Sequence, residues 1–199
     1  VDSRRTDIDA ALAFVREAVK VAPVYYVTGN HESRNSIYKE LFPLLEETGV
    51  TLLLDSNLQL GKKNSSIELI GVVDPSFRYK KGLKSSDKNI LNHSLSMLVN
   101  KDSEAFTLLL SHRPELIELY AEHDIDLVFS GHAHGGQVRL PFIGGLLAPH
   151  QGFFPKYTSG MHRAKNTTMI ISRGLGNSAF PVRVFNRPEL ILVTLGSEK

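Results

Sequence analysis

The sequence contains no cysteine among its 199 residues. That excludes disulfides, thiolate metal ligands and a cysteine nucleophile. It has no run of about 18 apolar residues, so no segment reads as a membrane-spanning helix. An excess of one charge is also missing: 23 basic and 21 acidic side chains leave a net charge of +2. Basic clusters are short, Lys80-Lys81 for example, and nucleic-acid binding is not suggested. There are no internal repeats and no linker. There is no initiator Met and no signal peptide, and the chain opens on VDSRRTD as if mid-phrase, which reads as a piece whose upstream part is missing. What is present is ordinary for a globular protein, 42% hydrophobic and 22% charged, and long enough for one domain with a sizeable core.

The periodicity alternates. TDIDAALAFVREAVKVA carries Ile8, Leu12, Val15 and Val19 on one helical stripe, with Thr6 or Asp7 as cap. VYYVTGN reads as a strand ending in Gly. SIYKELFPLLEETG reads as a helix bent at Pro43 and closed by Gly49. VTLLLDSNLQL and SSIELIGVVD read as strands, with turns at Asp55 to Asn57 and Gly61 to Asn64, and PSFRYKKGLKSSDK as a polar, mobile loop. NILNHSLSMLV is helical, AFTLLLSH a buried strand, PELIELYAEHD a helix opened by Pro114, and IDLVFSGHAH a strand again. TTMIISRGLGN and ELILVTL give two last strands. Helix and strand alternating over the first two-thirds predict parallel βαβ units within one α/β layered domain spanning residues 1–199.

Three of these strands end alike. VYYVTGNHE stops at Asn30, His31 and Glu32, FTLLLSHRPE at His112, and DLVFSGHAHGGQ at His132 and His134. Ligands bind outside the carboxyl ends of strands in α/β sheets, so three such ends can converge on one site. Histidine is the commonest metal-ligating side chain, and Asn offers a carbonyl oxygen. The i, i+2 spacing of His132 and His134 places both rings on one side of an extended segment. Gly135, Gly136 and Gln137 offer backbone N–H groups for a phosphate pocket, with a plain turn equally open. Arg34, Arg113 and Arg139 are weaker candidates for phosphate contact. His93 and His123 read as solvated, and His150 and His162 as outside the site. All four candidate ligands, Asn30, His112, His132 and His134, are neutral, whereas two adjacent divalent ions call for carboxylates. Neither Asp74 nor Asp2 reads as a good bridging ligand, so the missing acidic ligands are expected upstream of Val1.

The run GNHE, then a lone His, then GHAH, resembles the calcineurin-like metallophosphoesterases, whose pattern is D-x-H, G-D-x-x-D, G-N-H-E/D, H and G-H-x-H. The GHAHGGQ extension and the late RGLGN…FPVRVFNRPELILVTL resemble a bacterial subgroup of predicted phosphohydrolases. The resemblance covers the whole chain, with Asp2 standing at the second Asp of G-D-x-x-D. It implies an α-β-β-α sandwich lacking its first strands. It also implies hydrolysis of phosphomono- or phosphodiesters by hydroxide activated by two divalent ions (Mn, Fe, Zn or Ni). Asn30, His112 and His132 would hold one metal and His134 the other, with catalytic His31 protonating the leaving oxygen or steadying the phosphoryl group. The D-x-H pair and the bridging Asp are absent, so the chain alone is expected to hold one ion or none and to be impaired. A non-catalytic binding module on the same scaffold is the alternative. The subgroup's habits leave a cytoplasmic, membrane-associated or exported bacterial location open, with a tether expected upstream. An edge left bare near Val24 to Thr28 predicts a homodimer or a disordered rim.

Overall fold

The computed structural model describes residues 6–61, 66–79, 86–148, 151–176 and 182–196. Its centre is a six-stranded sheet. Strands β3 (Ser56–Leu60), β4 (Ile67–Gly71), β5 (Phe106–Leu110), β6 (Leu127–Ser130), β11 (Gly160–Ala164) and β12 (Thr167–Ile171) run in the spatial order β11-β12-β6-β5-β4-β3. The four middle strands are parallel and both outer ones antiparallel. Helices α4 (Asp87–Leu98) and α5 (Ile117–Glu122) make the crossovers into β5 and β6, as parallel neighbours require.

Successive residues on these strands face opposite ways, and the core divides accordingly. Ile70, Leu109, Val128, Met169 and Ile171 pack with Leu91, Leu95, Ile117 and Tyr120 of the two crossover helices. Leu69, Leu108, Leu127 and Ile170 pack on the other face against Tyr25, Val27 and Leu53. Tyr25 lies in, and Val27 and Leu53 directly follow, the strands of a second β layer, the parallel pair β1 (Tyr25–Tyr26) and β2 (Thr51–Leu52). Its far side, Val24, Tyr26 and Leu52, is covered by α1 (Ile8–Val21) and α3 (Tyr38–Glu47) through Leu12, Leu41 and Leu45. The layers therefore run α-β-β-α. Gly71 lets the two β layers close: a Cβ there would stand 2.2 Å from Leu53 Cβ and 2.9 Å from Val27 Cγ1.

The local signals act as expected at several points. Asp7 caps α1, accepting from Ala10 N at 2.9 Å, and Gly49 closes α3 at φ +92°. Pro114 opens a 3-10 turn, Pro114–Leu116, that leads into α5. Four expectations need correcting. VYYVTGN keeps only two residues in a ladder, because the Thr28 side chain turns inward to accept from Asp74 N and the Asn30 side chain turns inward to His112. The turn after β2 centres on Asp55 (φ +50°), and Ser56 and Asn57 are already in β3. The polar loop after β4 begins as a 3-10 turn, Pro75–Arg78, capped by Asp74; residues 80–85 lie outside the described residues. ELILVTL is not a ladder strand: no partner strand faces it among the described residues. It keeps strand-like alternation, with Val193 packed on the sheet and Leu190 and Leu192 exposed.

After β6 the chain becomes irregular. Four two-residue strands follow, β7 (Arg139–Leu140), β8 (Gly144–Gly145), β9 (Leu147–Ala148) and β10 (Gly152–Phe153), paired as β7–β8 and β9–β10.

Candidate metal centre

The site lies beyond the carboxyl ends of the parallel strands, where such sheets bind ligands. His112 is two residues past β5, and His132 two residues past β6. Asn30 and His31 open the short helix α2 (Asn30–Ser33), just after β1. His112 Nε2 sits 3.1 Å from Asn30 Oδ1 and 2.9 Å from His132 Nδ1, and the two imidazole rings meet edge to face with centroids 4.6 Å apart. Three donors from three strand ends thus converge.

Each is held by its neighbours. Gly29 is required beside His112, because a Cβ there would stand 2.9 Å from the ring's Cε1. Glu32 closes the α2 turn by accepting from Gly29 N at 2.9 Å. On either side of His112, Ser111 Oγ meets Tyr120 Oη at 2.8 Å, and Tyr120 Oη donates to Arg113 O at 2.6 Å. Arg113 donates from Nε and Nη2 to both oxygens of Asp74, at 2.6 and 2.9 Å. Asp74 N in turn donates to Thr28 Oγ1 at 2.8 Å, which ties this network back to the β1 layer. Burial is the largest influence on the His112 imidazole, and it pushes the pKa down to about 4. The ring is therefore neutral at pH 7, the form that ligates a metal.

These contacts revise several expectations. Arg113 is 1% exposed and held in a two-point pair with Asp74, with Asp87 at 3.3 Å from Nη1, so it does not reach a substrate phosphate. Asp74 is committed to the same pair and to Ser76, as its poor fit as a bridging ligand implied. His123 is buried, not solvated, with Nε2 2.8 Å from Asn92 Oδ1; His93 is exposed. His162 bonds to Ser159 O, away from the trio, and His150 lies outside the described residues. Arg34 is exposed.

The GHAHGGQ loop is not extended. His132, His134, Gly135, Gly136 and Gln137 all have positive φ, from 46° to 79°, so the alternation argument for His132 and His134 fails. His132 turns in to His112, while His134 begins a 3-10 turn, His134–Gly136. The N–H groups of Gly136 and Gln137 are used inside the loop, on Ala133 O and His134 O, and are not aimed at a phosphate. Two left-handed histidines in one turn need outside support, and two residues supply it. Asn186, 2% exposed, donates from Nδ2 to His134 O at 2.7 Å and to Gln137 O at 3.0 Å. Arg139 donates to Gly135 O at 3.0 Å and Ser159 Oγ at 3.0 Å. Gly135 is fixed by the same packing: a Cβ there would stand 2.1 Å from Asn186 Oδ1. Sequence reasoning missed Asn186, which sits in a Gly/Pro-rich tail with no motif to single it out.

Two imidazoles and an amide oxygen suit a borderline divalent ion. Among the described residues, no three His, Cys, Asp or Glu side chains gather into a metal-holding group. This part of the site therefore supplies nitrogen and amide donors without a carboxylate.

An α-β-β-α sandwich with histidines and an asparagine at its strand ends defines a metallophosphoesterase-type scaffold. Comparison with known proteins agrees: residues 2–136 match the calcineurin-like phosphoesterase family, and the chain belongs to it. The family generally uses divalent metal ions and acts on phosphate esters. The chain is 38% identical over 92 residues to the metallophosphoesterase YkuE of Bacillus subtilis, covering 46% of this chain and 32% of that protein. It is 28% identical to the metallophosphoesterase Cj0846 of Campylobacter jejuni, over 100% of this chain and 49% of the relative. It is 27% identical to the phosphodiesterase YaeI of Escherichia coli, over 87% of this chain and 58% of the relative. The chain thus spans about half the length of the curated relatives it matches.

Proposed function

We propose that the protein hydrolyses phosphate esters, with Asn30, His112 and His132 holding one divalent ion and His134 a second. The observation that carries this reading is the contact chain from Asn30 Oδ1 through His112 Nε2 to His132 Nδ1. Bound ions would supply Lewis acidity, lowering the pKa of water and offsetting phosphoryl charge. The chain's own residues do the rest. His112 stays neutral and offers its lone pair. Tyr120 and the Arg113–Asp74 pair hold its backbone in place. Asn186 and Arg139 keep the GHAHGGQ loop in its left-handed form. His31, half-buried in the first turn of α2, donates a proton to the leaving oxygen, a role that suits the pKa of histidine. The carboxylate ligands come from outside the described residues.

The test is hydrolysis of a chromogenic phosphodiester with Mn²⁺, using the chain and an N-terminally extended form. The extended form should be active, and His132→Ala should abolish its activity. Equal activity in the extended form with and without His132 contradicts the assignment.

A further inference from the structure

The charges are less evenly mixed than the composition suggests. From Leu127 to Pro188 there is no Asp or Glu, while seven Lys or Arg occur. The same stretch carries an irregular platform stitched by backbone bonds. Arg139 N donates to Val184 O, Leu146 N to Val138 O and Phe154 N to Leu146 O, at 2.9, 2.8 and 2.9 Å. Four segments therefore lie side by side. They present Phe142, Ile143, Phe153, Phe154 and Phe185 at exposures between 62% and 108%. Phe142 stands at the tip of the β7–β8 turn at φ +66°, and Phe142, Ile143 and Phe185 line one shared shallow hollow. Lys156 and Arg187, both exposed, follow Phe154 and Phe185 closely in the chain.

Side chains this apolar and this exposed, clustered on one platform, mark an interaction surface. We propose that this platform docks on an anionic lipid surface, with Phe142 and Ile143 entering the headgroup–acyl boundary and the surrounding cations meeting lipid phosphates. Aromatic tips combined with basic flanks are the composition that interfacial binding uses. A second copy of the chain is the poorer occupant, because the exposed Lys156 and Arg187 beside the aromatic tips would face the same cations of the other copy. The platform hangs from the histidine loop: Arg139 holds Gly135 O, and Gly145 packs against Gly136 so closely that a Cβ on Gly136 would stand 2.4 Å from Gly145 Cα. Docking therefore brings the candidate metal centre to the headgroup layer.

The experiment is co-sedimentation of the chain with vesicles of equimolar phosphatidylglycerol and phosphatidylcholine, or of phosphatidylcholine alone. Binding should favour the anionic vesicles by about tenfold and weaken as salt rises. Phe142→Ser/Ile143→Ser should lower it by about tenfold or more with an unchanged melting temperature. Lys156→Glu/Arg187→Glu should weaken it on the anionic vesicles only. Absence of wild-type binding overturns the proposal, as does equal binding by Phe142→Ser/Ile143→Ser. Displacement from vesicles by a single-stranded oligonucleotide that needs the same residues overturns it in favour of nucleic acid. The assay contains neither metal nor substrate, so its failure would leave the phosphoesterase reading standing, and the reverse also holds.

Discussion

Two regions hold the two ends of the histidine set, and they do it by different means. The sheet from Ile67 to Ser130 is regular, buried and charge-paired, and His112 is fixed there between locked neighbours. The described residues between Gly131 and Phe154 form two-residue strands and left-handed turns, and polar staples hold them in place of a core. The difference shows where robustness and adaptability lie. A carboxyl-end loop anchored in a parallel sheet inherits the sheet's stability. A loop held by one asparagine and one arginine depends on those few contacts, which makes it the more easily displaced half of the site.

The comparison breaks most visibly at Arg113. Arg113→Ala leaves Asp74 charged and buried, and should cost about 3–5 kcal/mol of unfolding free energy in guanidinium melts. Replacing both partners with apolar residues should cost much less.

Acid is the next perturbation. His112 has its folded pKa depressed by burial to about 4, below the unfolded value of about 6.5. In the metal-free protein the unfolded state takes up this proton first. Stability is then full above about pH 6.5 and falls as pH drops toward 4. A melting temperature flat between pH 7 and pH 4.5 would contradict this.

Asn186→Ala sharpens the contrast from the other side. It removes two buried donors and should cost about 1–3 kcal/mol. It should also broaden or shift the His134 ring resonances in NMR spectra while leaving the exposed His93 unchanged. Phe142→Ser should be the mildest, within about 0.5 kcal/mol of wild type.

Much of the fold could be read from local signals. The βαβ alternation, the Asp7 cap, the Pro114 helix start and the Gly49 stop all stand in the structure. The candidate ligands Asn30, His112 and His132 could be picked out because each follows a strand; the parallel neighbours β5 and β6 bring the ends before His112 and His132 together, and Asn30 comes from the second β layer. The rest depends on tertiary partners that no local pattern encodes. Arg113 resembled a substrate contact until Asp74, 39 residues away, claimed it. The alternation rule for His132 and His134 presumed an extended backbone, but Asn186, from near the chain's end, holds the turn left-handed. ELILVTL has the alternation of a strand, yet a ladder also needs a neighbour, and none faces it among the described residues.

Titration of the metal-free chain with Mn²⁺, by calorimetry, tests the central claim most directly. Mn²⁺ should bind, and the binding should be lost in His132→Ala. A binding curve unchanged by His132→Ala would contradict the assignment of Asn30, His112 and His132 to one ion.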